Sequence, residues 1–184
     1  MRLTAIDNPR DLMTRIAYWM TKRRLGKVMT PMKVVYARMQ KIFRLAYEEV
    51  KLVDKGLSVD PAVNFLARTW VATINGCSFC VDIAKATAIQ RHMTLEKFDA
   101  LADYRTSPLY SERERAALAY VEEATRHKRV SDQTFEALRR HFNEREIVEI
   151  TWLNALENYY NLINLPLEIE SDGLCAIAQR RAAA

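Results

Sequence analysis

Two cysteines three residues apart, Cys77 and Cys80, are the side chains of this 184-residue chain whose type and spacing best suit chemistry. They follow Asn75-Gly76, and the glycine allows the chain to turn sharply just before them. An i, i+3 spacing puts both sulfurs on one helix face, within reach of each other. In the first turn of a helix, unpaired N–H groups and the positive end of the dipole stabilise a thiolate, the reactive form of cysteine. One thiolate can attack an O–O or S–S bond, and its neighbour can resolve the product into an intramolecular disulfide. That cycle requires no bound cofactor. Two other readings stand beside it: a pair of small residues packed in a core, and half of a zinc site. Zinc usually takes four ligands, and the remaining candidates, Cys175 and His92, form no second close pair.

The elements that must position this pair read as helices throughout. Four glycines and five prolines fall almost entirely where a helical periodicity starts or stops. Asn8-Pro9 opens a first helix carrying Leu12, Ile16, Trp19 and Met20 as far as Gly26. Thr30-Pro31 opens a second stretch, long enough to contain a bend, that ends at Gly56. Asp60-Pro61 starts a third, which Asn75-Gly76 terminates in a left-handed turn. The dithiol then begins a fourth, from Ser78 to Arg91, and Thr94 caps a short fifth. Ser111 with Glu114 forms a capping box for a sixth helix to His127, Ser131 caps a seventh, and Asn143 with Glu146 opens an eighth lasting to Pro166. With no strand-like alternation and no internal repeat, the expectation is an all-α bundle of about eight helices. Residues 1–184 should form a single domain, with 171–184 a flexible tail.

Composition narrows the function classes. The 28 Lys and Arg against 23 Asp and Glu give a net charge of +5, but the signs alternate along the chain. A nucleic-acid footprint would be a clustered basic stripe. The densest run, Lys22, Arg23, Arg24 and Lys27, closes the first helix, where cations oppose the negative dipole end. Nucleic acid is therefore not expected as a partner. No segment approaches the roughly 20 apolar residues needed to span a bilayer, so no membrane partner is expected either. Arg10, Asp11 and Arg15 interrupt any secretory signal, which points to the cytoplasm. Three cysteines, two of them adjacent on one helix, do not make a disulfide framework of the secreted kind.

The stretch from Trp70 to Asp82, Trp-Val-Ala-Thr-Ile-Asn-Gly-Cys-Ser-Phe-Cys-Val-Asp, closely resembles the signature of the alkylhydroperoxidase AhpD and carboxymuconolactone decarboxylase family. There a helix ends in Asn-Gly-Cys and an aromatic residue precedes the second cysteine. The resemblance in helix order covers residues 30–165 and implies an AhpD-like helical core that assembles as a homo-oligomer. It also implies that Cys80 is oxidised by hydroperoxide, while Cys77 resolves it and exchanges with a dithiol or protein-thiol reductant. Helix-dipole physics alone does not choose between the two sulfurs.

The chain departs from the family's peroxidase pattern at two positions. Four residues after the second cysteine the family places a His that takes the thiol proton; here that position is Ala84. Twelve residues before the first cysteine it places a Glu; here that position is Phe65. General-base assistance is worth roughly 10²–10⁴-fold, so a slow peroxidase or a disulfide exchanger is expected. Asp82, Lys85 and Glu157 are the auxiliary candidates. Asp82 and Lys85 lie near the pair in sequence, and Glu157 lies on a last long helix rich in polar and aromatic residues (Trp152, Asn154, Asn158, Tyr159, Tyr160, Asn161). His92 would lie about 18 Å from Cys80 along a straight helix, too far for a base. Cys175 reads most simply as a free surface thiol.

The sequence thus points to a cofactor-free thiol peroxidase or disulfide oxidoreductase acting on small hydroperoxides or partner disulfides. Two alternatives remain. One is a redox-responsive binding or regulatory protein without turnover. The other is lactone decarboxylase chemistry, the family's other branch, which does not depend on a CxxC.

Overall fold

The computed structural model describes residues 1–183, and among them the chain is helical without strands. The helices are α1 (Leu12–Leu25), α2 (Gln40–Lys55), α3 (Pro61–Ile74), α4 (Ser78–Gln90), α5 (Glu96–Asp99), α6 (Glu112–His127), α7 (Asp132–Arg139), α8 (Glu144–Asn164) and α9 (Leu174–Ala182). The expected all-α class is what the structure has, with one helix more than the caps announced.

α3 is the central element, packed against α4, α6 and α8. It is apolar nearly all round, burying Val63, Leu66 and Trp70 on one side and Phe65 and Ala72 on the other, as an internal helix must. Leu118 and Val121 of α6, Leu138 of α7 and Ile150 of α8 complete the larger core. The Asp60 side chain accepts from the Ala62 N–H, Pro61 takes the first helical position, and Gly76 leaves the helix at φ 73°. Both capping boxes form, Ser111 with Glu114 and Asn143 with Glu146. α8 runs parallel to α3, with its start beside Ser58 and Val59 and its later turns beside Asn75, where the dithiol starts.

A second tie holds α3 to α8. The buried Glu149 carboxylate accepts from the backbone N–H of Ser58 and Val59, the Ser58 hydroxyl and Arg145. Burial raises its pKa, but those donors outweigh burial and hold the carboxyl below its ordinary value. The stabilisation is complete above the ordinary carboxylate range and disappears as pH falls through the lowered folded value. Glu149→Ala should cost about 3 kcal/mol at neutral pH, because it strips a charged acceptor from buried N–H groups. Thermal melts from pH 7 down into strong acid should show the gap between the variant and the wild type narrowing; a constant gap would refute the assignment.

The second long stretch bends, as its length allows, since a π-helical turn at Met32–Tyr36 breaks off at Met39 before α2 begins. Three expectations change. α1 is capped by Asp11, whose carboxylate accepts from the Thr14 N–H, and not by Asn8. Its apolar stripe also faces outward: Leu12, Met13, Ile16, Trp19 and Met20 are exposed, while Thr14, Ala17, Tyr18 and Leu25 turn inward. Finally, the stretch expected to be a loose tail contains α9, which lies along α4 with Leu174 and Ala178 buried.

Candidate functional site

Cys77 and Cys80 are joined as a disulfide, with Cα atoms 5.3 Å apart. Cys77 is the N-cap of α4, its Sγ accepting the Cys80 backbone N–H at 3.3 Å. Cys80 sits one turn in. Both are buried, Cys77 at 1% exposure and Cys80 at 6%, in a second apolar cluster with Ala72, Phe79, Ile169 and Leu174.

The polar surroundings of the sulfurs come from α8. Asn161 donates through Nδ2 to Cys80 Sγ at 3.1 Å and to Glu157 Oε1 at 3.0 Å, and its Oδ1 accepts from Asn75 at 2.8 Å. The neighbouring carboxylate fixes which way this amide faces, since an oxygen turned toward Glu157 would be repelled. Asn164 Nδ2 lies 3.4 Å from Cys80 Sγ and 4.0 Å from Cys77 Sγ. Glu157 is in turn gripped by Arg68 of α3, whose Nε and Nη2 lie 3.1 and 3.0 Å from Oε2. One connected polar path therefore runs Arg68, Glu157, Asn161, Cys80 through an otherwise apolar interior.

Of the three auxiliary candidates, Glu157 alone reaches this path. Asp82 is buried, not solvent-facing, and its carboxylate accepts from the backbone N–H of Asp172, Leu174 and Cys175. It supplies the N-terminal cap that Gly173 has no side chain to provide, which explains why α9 is helical. Lys85 pairs with Asp99 at 2.6 Å. Ala84 and Phe65 leave the two usual relay positions without an ionisable group; the Phe65 ring instead carries the Arg91 guanidinium at 5.2 Å. Cys175 is free and half-buried, and burial together with the nearby Asp82 charge pushes its thiol above the ordinary value. Among the described residues no group of three or more His, Cys, Asp or Glu side chains is placed to hold a metal ion.

Arg68, Asn75 and Asn164 were not singled out from the sequence. A signal for part of this set exists: Glu157, Asn161 and Asn164 recur at i, i+4 and i+7, a polar stripe on the inward face of α8.

The profile of the carboxymuconolactone decarboxylase family matches residues 39–123, which contain α3, the dithiol and most of α6. The uncharacterized protein YnjA of Escherichia coli K12 is 34% identical over 172 residues, covering 92% of this chain and 94% of its own. The chain belongs to the carboxymuconolactone decarboxylase family. Within it the chain is AhpD-like. The crystal structure of ATU0492 from Agrobacterium tumefaciens, a protein of unknown function proposed as an antioxidant defence protein AhpD, superposes with a TM-score of 0.69 at 28% identity. That match covers 75% of this chain and 96% of the other. The debrominase Bmp8 has the same fold, with a TM-score of 0.76 at 19% identity over 97% of this chain and 96% of its own. A CxxC pair in this family is consistent with a redox function. Among the described residues no helix is long and apolar enough to cross a membrane.

Proposed function

We propose that this family member is a thiol-dependent oxidoreductase that uses Cys80 as the attacking sulfur and Cys77 as the resolving one, reducing small hydroperoxides or partner disulfides. The observation that carries the reading is the pair of amide N–H donors, from Asn161 and Asn164, directed at Cys80 Sγ in the first turn of α4. Each stabilises a thiolate there, in addition to the helix dipole. Cys77 receives one backbone N–H and only a distant amide.

In the cycle, the Cys80 thiolate attacks the distal oxygen of ROOH, the O–O bond breaks, and the alkoxide takes up a proton to leave as ROH. Cys80 is then a sulfenic acid. Cys77 attacks its sulfur, water departs, and the Cys77–Cys80 disulfide closes. An external dithiol or protein thiol restores both thiols by two exchange steps and leaves as its own disulfide. With a disulfide substrate, Cys80 attacks one sulfur and releases the other as a thiol, and Cys77 then attacks the mixed disulfide, releasing the second thiol and closing the Cys77–Cys80 disulfide. The chain itself needs no cofactor for these steps, and a reducing compartment such as the cytoplasm would supply the electrons.

Assembly into a homo-oligomer belongs to the same proposal. It is supported by α2, which exposes Leu45, Tyr47, Val50 and Leu52 and buries only Ala46. A 16-residue helix is marginal in water without a packed face. Light scattering should give a mass that is a multiple of 21.3 kDa, and a monomer at micromolar concentration would contradict it.

The test of function is steady-state consumption of an alkyl hydroperoxide with a dithiol reductant. Turnover supports the peroxidase reading, and reduction of bis(2-hydroxyethyl) disulfide alone supports the exchanger. A Cys77–Cys80 disulfide that forms and alters assembly, with neither substrate turned over, would favour the regulatory alternative. Lactone turnover by a Cys77→Ser, Cys80→Ser double variant would favour the decarboxylase.

A further inference from the structure

We propose that Glu157 is the acid–base group of this dithiol, taking the Cys80 proton before attack and returning it to the departing group. The inference rests on the oxidoreductase reading and deepens it, since that reading leaves open what replaces the missing histidine.

The hydrogen-bond inventory of Glu157 points this way. A carboxylate has about four acceptor sites, two on each oxygen. Oε2 accepts from Arg68 Nε and has Nη2 beside it at 3.0 Å, and Oε1 spends one site on Asn161. A site is left on Oε1, the oxygen that faces Asn161 and the sulfur. Glu157 itself is almost fully buried, so bulk water does not fill that site freely. The same Asn161 nitrogen touches both Oε1 and Cys80 Sγ, so acid and sulfur are one amide group apart, near enough for one water to carry a proton between them. Asn161 cannot itself be the carrier, because an amide N–H donates without gaining or losing its proton. Its part is positioning. Arg68, on the far side, holds the carboxylate in this orientation.

Proton and electrons balance without another participant. The Cys80 thiol gives its proton to Glu157, the thiolate attacks, the O–O or S–S bond takes the electron pair, and Glu157 returns the proton to the alkoxide or thiolate that leaves. Other acids near the pair are committed elsewhere. Asp82 is held by three backbone N–H groups on the α9 side of α4.

The experiment compares wild type, Glu157→Gln and Glu157→Asp in two reactions of the reduced protein. The first is reduction of tert-butyl hydroperoxide, or of bis(2-hydroxyethyl) disulfide if the wild type prefers it; both leaving groups need a proton. The second is alkylation of Cys80 by iodoacetamide, followed by mass spectrometry, in which iodide leaves without one. Glu157→Gln should slow the first at least about 100-fold. It should slow the second far less, since the thiol can still lose its proton to solvent and iodide leaves without needing one. Glu157→Asp should recover part of the lost rate. Parallel slowing of both reactions would mean a structural role and would overturn the proposal, as would an unaffected reduction rate. A wild type that reduces neither oxidant would instead defeat the parent reading, before any variant is compared.

Discussion

Replacing Cys80 by serine is expected to abolish hydroperoxide and disulfide reduction, leaving no turnover above the reductant's own background. A hydroxyl at this position cannot become a sulfenic acid or a mixed disulfide, and the amide donors of Asn161 and Asn164 then face a group that stays protonated near neutral pH. Cys77→Ser should behave differently. Its Cys80 still receives both amides and still reacts, so each chain consumes one equivalent quickly and then stalls for want of the resolving thiol. Stopped-flow measurement of peroxide loss separates the two outcomes as burst against no burst. A burst in Cys80→Ser with none in Cys77→Ser would reverse the roles of the two sulfurs.

Asn161→Ala should have the next largest effect. Asn161 is wholly buried and, among the described residues, is the only side chain that bonds Cys80, Glu157 and Asn75 together. A hydrogen bond to a charged group contributes about 1.5–3 kcal/mol, so losing the Asn161 donor should raise the Cys80 thiol by at least about one pH unit. Alkylation of Cys80 at pH 7 should slow about tenfold, with the pH–rate curve displaced upward rather than lowered throughout. Unfolding free energy should also fall by about 3 kcal/mol, because Glu157 loses a buried partner. An unshifted alkylation profile would show that the amide does not hold the thiolate, whatever happened to stability.

Much of this architecture is legible in the chain. Local signals did best: Asp60-Pro61, the Ser111–Glu114 and Asn143–Glu146 boxes, and the Gly76 turn all lie within one helical turn of the end they determine, and the dithiol follows directly from that turn. What could not be read depends on distant partners. α9 is capped by Asp82, which is 92 positions away from Leu174, so nothing beside Gly173 announces a helix start. The stripe of Leu12, Ile16, Trp19 and Met20 is a correct helical face, but periodicity says only that a face exists and not what meets it. Asp82 looked close to Cys80 in sequence, yet residues two apart on a helix point in different directions, and its side chain serves the opposite side of α4. Glu157 lies 77 positions from Cys80 and reaches it through Asn161, which is 81 positions from the sulfur it touches.

The reliance on amides and a distant carboxylate also gives physical content to the two missing relay residues. With Ala84 and Phe65 in place of ionisable groups, those two positions offer no proton acceptor, Asp82 serves α9 instead, and α8 supplies the polar side chains that contact the sulfur. α3 still takes part, because Arg68 anchors Glu157 from across the core.

The most direct measurement is where the first oxygen lands. Reduced Cys77→Ser protein treated with one equivalent of hydroperoxide and trapped with dimedone should carry the adduct on Cys80, and wild type treated in the same way should give the Cys77–Cys80 disulfide with little adduct. An adduct confined to Cys175, or to Cys77 in the Cys80→Ser protein with none on Cys80, would contradict the assignment of Cys80 as the attacking sulfur.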